Sequence, residues 1–170
     1  MATPGIGLGT ATQSALTNLV EQKLRAERVV KAGASWFLMV GVLSLINSVL
    51  AMSDSGIRFI FGLGIARFVD ELARQAGQTG FALNLVINGG VAAVFVLFWN
   101  FARKGEQWAF VVGMGLYIID ALVMLMSQDI LPVAFHAYAL YRIYRGFNGI
   151  KALKHFEGQL QPAGAPIQPR

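Results

Sequence analysis

The chain has 170 residues, 55% of them apolar and only 14% charged, where a soluble domain carries roughly a quarter charged. That length allows one domain, and its apolar residues fall in blocks approaching the 20 or so needed to cross a bilayer, too long for ordinary core helices. The net charge is +5 and there is no cysteine, which excludes disulfides, thiolate metal sites, CxxC redox chemistry and c-type haem attachment.

Residues 1–13, "MATPGIGLGTATQ", are small and aperiodic and are expected to form a flexible N-terminal segment. Its glycines (Gly5, Gly7, Gly9) have no apolar strand before them, so they make a poor phosphate loop. Residues 14–31 read as an N-terminal amphipathic helix. Leu16, Leu19, Val20 and Leu24 recur at helical spacing, while Glu21, Lys23, Arg25, Glu27 and Arg28 fill the other faces. This helix runs into the first apolar block, at about 32–52, and can lie along the inner membrane surface. In that block Gly41, Ser44, Ser48 and Ala51 fall near one face, and Trp36 sits where an interfacial anchor belongs.

Between the first two blocks, Ile57, Phe61, Ile65, Phe68 and Leu72 repeat every three or four residues, with Arg67, Asp70, Glu71 and Arg74 on the complementary arc. This predicts an additional outer-side amphipathic helix at about 57–76 that is too charged to span. Further apolar blocks follow at 81–101, 108–127 and 130–147. The last two form a hairpin around "SQD", in which Asp129 can cap the fourth helix and Pro132 is tolerated in its first turn. Tyr138, Tyr141 and Tyr144 lead to an interface where Arg142 and Arg145 can snorkel, and the helix is expected to continue to about His155. Residues 157–170 are Pro-rich and expected to be flexible. The predicted fold class is therefore all-α, a polytopic membrane four-helix bundle in a single domain over 14–156, with the outer-side and N-terminal amphipathic helices added.

The charges are distributed unequally. Eleven of the 14 Lys and Arg residues flank the blocks on one side; only Arg58, Arg67 and Arg74 fall on the other, where Asp54, Asp70 and Glu71 offset them. The positive-inside rule then places both termini in the cytoplasm, with a bacterial cytoplasmic membrane as the expected location. Lys23, Arg25, Arg28, Lys31, Arg103, Lys104, Arg142 and Arg145 are the residues expected to meet lipid headgroups. The bilayer accounts for the positive charge without nucleic acid. Other membrane subunits, or self-association, are open as partners, because small-residue faces (Gly41/Ser44/Ser48, Gly89/Ala93, Gly113) permit helices to associate.

Two ionisable residues lie inside the last two blocks. Counted from Asp129, Asp120 lies nine residues back and His136 seven residues on, which puts them about 13 Å and 10 Å deep on antiparallel neighbours. Asn47, Asn84 and Asn88 fall in the same outer half. An Asp at mid-membrane costs roughly 2.5–3.5 kcal/mol, so it should face protein or water. Three readings of this cluster are open: an interhelical polar clamp, with Asn47 and Asn88 adding hydrogen bonds to an Asp120–His136 pair; a ligand or proton site open to the outside; and His136 as an axial ligand for haem or a pigment, although no cofactor and no metal site are expected. GxSxG, HExxH and a Walker lysine are absent. The functional expectation is a small non-enzymatic integral membrane protein, an accessory or assembly subunit. The alternative is a proton-linked carrier, or a binder of small solutes or lipid headgroups, using Asp120 and His136.

Overall fold

A computed structural model describes residues 6–52, 69, 72, 77–126 and 130–161. The described chain is helical: α1 (Ile6–Met52), α2 (Gly77–Ala102), α3 (Gln107–Met126) and α4 (Ile130–Leu160). Stretches within α1, α2 and α3 (13–50, 84–102 and 107–126) are long and apolar enough to cross a membrane, consistent with an integral membrane protein. In α4, His136, Arg142 and Arg145 interrupt the apolar run. Each helix packs against two others, α1 on α2 and α4, and α3 on α2 and α4. The outer-side helix expected at 57–76 and the "SQD" turn lie outside the described residues, except that Val69 and Leu72 are helical.

α1 has 47 residues, a rod of about 70 Å at 1.5 Å per residue, more than twice the thickness of a bilayer's hydrocarbon core. The amphipathic segment and the first apolar block are thus one continuous helix. Its early part pairs with the end of α4. Ala26 and Val30 are buried with Ile150 and Leu153, Val29 and Val30 pack on Gly149, and Lys23 reaches Glu157 at 3.9 Å. Both ends run further than their composition suggests. Residues 6–13, expected to be flexible, are helical, and α4 continues to Leu160, four residues into the expected tail. Once a helix is nucleated, each added residue gains a backbone hydrogen bond at little cost, so helices extend into indifferent sequence.

α1 and α4 come together at a pair of glycines. A Cβ on Gly33 would lie 2.4 Å from the Gly146 Cα, and one on Gly146 would lie 2.6 Å from the Gly33 Cα. The two backbones touch there, which only glycine permits. At the same end, α2 stops in a Schellman turn. Glu106 N–H donates to the Phe101 carbonyl (3.3 Å) and Gly105 N–H to that of Ala102 (2.9 Å). Gly105 takes the left-handed φ of 85° that this cap requires.

Between the helices the core is layered. Toward the Schellman turn it is aliphatic and small: Ala34, Ala102, Ala109, Ile143 and Ile150. In the middle Phe37 meets Phe95, Phe98 and Phe110 at centroid distances of 5.9–6.3 Å, and Gly113 leaves the space its ring occupies. On the far side of this aromatic layer the buried residues turn polar: Ser44, Asn47, Ser48, Asn84, Asn88, Asp120 and His136. The outward faces remain apolar, with Val49, Val86, Leu97, Val111, Ile119, Leu122 and Leu125 all more than half exposed, as lipid contact requires.

Candidate functional site

Asp120 and His136 meet. Nε2 of His136 is 2.9 Å from Oδ2 of Asp120, and their side chains are only 1% and 6% exposed respectively. The second ring nitrogen, Nδ1, is 2.8 Å from the Pro132 carbonyl one turn earlier on α4. A carbonyl oxygen can only accept, so Nδ1 carries a proton and donates it. The Asp120 contact then needs one proton between Nε2 and Oδ2. Wherever that proton resides, the pair is neutral overall, which lowers the cost of placing two ionisable groups in an apolar interior.

Tyr117, one turn before Asp120 on α3, holds the imidazole from the side. The two rings stack at 4.7 Å with an interplanar angle of 16°, and Phe135 meets the imidazole edge-on at 6.2 Å. Tyr117 also rests edge-on against Phe95 of α2 (6.2 Å), which links the polar layer to the aromatic core. Its hydroxyl is buried and has no hydrogen-bond partner among the described residues. Sequence reasoning overlooked Tyr117, although its spacing of three from Asp120 places both on one helix face.

The asparagines form an adjoining set between α1 and α2. Nδ2 of Asn88 donates to Ser48 Oγ at 2.8 Å and to Asn84 Oδ1 at 3.2 Å. Asn84 and Asn88 share a face as their i,i+4 spacing predicts, and Ser48 is the α1 partner that spacing alone did not identify. Asn47 is buried at 5% exposure, but among the described residues no hydrogen bond joins it to Asp120 or His136. On a helix, neighbouring positions point about 100° apart, and it is Ser48 that faces Asn88.

With Nε2 directed at a carboxyl and Nδ1 at a carbonyl, neither nitrogen of His136 is free to bind a haem or pigment metal in this arrangement. The geometry does not fit that option. What the arrangement can do is lock α3 to α4 through one polar contact and α1 to α2 through another.

The basic residues sort into distinct surroundings. Lys23 and Lys31 both approach Glu27 (3.7 and 3.3 Å). Arg103 and Lys104 lie over the rings of Trp99 and Phe101 (4.7 and 5.6 Å). Arg142 lies over Trp36 (5.6 Å) and donates from Nη1 to the Tyr138 hydroxyl (3.1 Å). Arg28 and Arg145 are exposed, and neither is ion-paired to a carboxylate among the described residues.

Fold and site together define the class: a chain helical over its described residues, with three helices long and apolar enough to cross a membrane and a buried carboxyl–imidazole pair. No protein-family model, no curated protein and no solved structure matches the chain.

Proposed function

We propose that the protein is a small, non-enzymatic four-helix bundle of the bacterial cytoplasmic membrane, with both termini in the cytoplasm, serving as an accessory or assembly subunit. In this reading the Asp120–His136 pair is a structural clamp that sets the register of the last two spans, and the working surface is the outside of the bundle. One observation carries it: the two side chains bond at 2.9 Å and are almost fully buried. A site that exchanges solute or protons needs a path to water, and a clamp does not. Four spans, the last formed by the first two-thirds of α4, return the chain to the side on which it began. The asymmetry of Lys and Arg favours that side as the cytoplasm. The basic flanks then meet anionic headgroups of the inner leaflet, and other membrane subunits or a second copy occupy the apolar faces. Nucleic acid has no part in this reading.

The buried, unpartnered hydroxyl of Tyr117 beside the pair favours a second reading, a proton-linked carrier or small-solute binder whose ligand completes that hydrogen bond. Thermal unfolding of the purified protein across a panel of small polar solutes separates the two. The clamp reading expects the same melting temperature in every solute. A solute that stabilises the wild type and not Tyr117→Phe establishes the binder instead.

A further inference from the structure

Where α1 and α4 come together at Gly33 and Gly146, a cleft of about 250 Å³ opens, lined by Arg28, Val29, Ala32, Gly33, Arg142 and Arg145. Three arginines are among its lining residues, and none is ion-paired to a carboxylate among the described residues. A second cleft of about 240 Å³, lined in part by Lys31, Arg103 and Lys104, also contains the carboxylates of Glu27 and Glu157, the first of them paired with Lys31. Like charges left together without counter-ions raise the free energy of a site until an anion enters it.

We infer that the Arg28–Arg142–Arg145 cleft is a binding site for the phosphodiester of an anionic phospholipid. The guanidinium fork matches phosphate oxygens in bidentate geometry, and Arg142 is already held in place by Trp36 and Tyr138. The cleft is smaller than a drug-sized pocket of roughly 300–1,000 Å³ and suits a headgroup. The acyl chains, which separate a lipid from free phosphate, have a path. Arg28, Ala32, Ser35, Met39, Val42 and Ile46 follow one another at helical spacing on α1, and all are exposed. Above the two cleft residues, the same face therefore offers Met39, Val42 and Ile46 to a hydrocarbon tail. This site rests on the membrane placement proposed above and is independent of the role given to the Asp120–His136 pair.

The test is native mass spectrometry of the full chain released from micelles holding equal amounts of phosphatidylglycerol and phosphatidylcholine. Wild type is expected to retain phosphatidylglycerol preferentially. Arg28→Gln and Arg145→Gln should each weaken retention by about tenfold, the usual effect of removing a charge-assisted hydrogen bond. Arg103→Gln/Lys104→Gln, in the second cleft, should weaken retention far less than either. Ala32→Leu keeps every charge but fills the cleft, and should also lose the lipid. Asp120→Leu should retain it, so a failure of the clamp reading is distinguishable from a failure here. Equal losses from the substitutions in the two clefts, or full retention by Ala32→Leu, would show only diffuse attraction and overturn the site. Displacement of the lipid by inorganic phosphate at comparable concentration would overturn the lipid assignment.

Discussion

Replacing Asp120 by Leu and His136 by Phe, singly and together, measures the polar pair against the rest of the fold. Asp120→Leu preserves approximate shape but leaves Nε2 of His136 without its partner, at a site where the side chain is 1% exposed. Stranding a buried polar atom in this way costs about 1–3 kcal/mol. His136→Phe keeps a ring on Tyr117 and strands the carboxyl, at a cost at least as large because the group left behind is ionisable. In the double variant no polar atom of the pair remains, so its cost should fall well below the sum of the two. Polar groups in the unfolded chain also find partners in a micelle, so the coupling should lie near the upper end of values measured between membrane helices, about 1–2 kcal/mol. The assay is reversible unfolding in mixed micelles titrated with SDS and followed by far-ultraviolet circular dichroism. Additivity of the two substitutions within about 0.5 kcal/mol would refute the reasoning, since that is the behaviour of sites without contact.

Gly33→Ala should destabilise the protein by about 1–3 kcal/mol in the same unfolding assay, because the added Cβ meets backbone that cannot move aside. Gly90→Ala, where nothing lies within 4 Å, should be neutral or up to about 1 kcal/mol more stable through helix propensity. Tyr117→Phe removes an unpartnered buried hydroxyl while keeping the ring stack, so its melting temperature should hold or rise; a clear fall would show that the hydroxyl is in use. The absence of native cysteine makes orientation directly measurable. A membrane-impermeant maleimide added to intact cells should label Ser55→Cys and spare Gln13→Cys and Gln161→Cys, and the reverse pattern would invert the proposed topology.

The depth of the polar layer could be read in the sequence because a helix converts residue count into distance. Seven and nine residues from one turn bring Asp120 and His136 to similar levels, and the two are bonded. The burial of Asn47, Asn84 and Asn88 followed from the same count. Facing was harder to read. In a helix that is apolar all round, hydrophobic periodicity no longer marks the side that meets protein, so Ser48 could not be told from Asn47 as the partner of Asn88. Nor did the pattern distinguish glycines. Gly41 packs beside Phe95 and Gly113 beneath Phe37, while Gly89 has nothing within 4 Å among the described residues; the contact that brings α1 and α4 together belongs to Gly33 and Gly146, which lie at the charged and aromatic ends of the first and last apolar blocks. The 47-residue length of α1 was hidden for a related reason. Its amphipathic beginning has the composition of a surface helix, and its partner is the equally amphipathic end of α4, where Ile150 and Leu153 are buried against Ala26 and Val30.

The most direct test of the clamp is the nitrogen spectrum of the His136 ring. His155 is exposed and is the only other histidine in the chain, so His155→Gln leaves a single imidazole to be labelled with nitrogen-15. The account predicts a persistent, slowly exchanging proton on Nδ1, held by the Pro132 carbonyl, and an Nε2 resonance that moves when Asp120 is changed to Leu. Ring protons that exchange with water as rapidly as those of free imidazole, or an Nε2 signal indifferent to Asp120, would contradict it and open the polar layer to solvent and to the carrier reading.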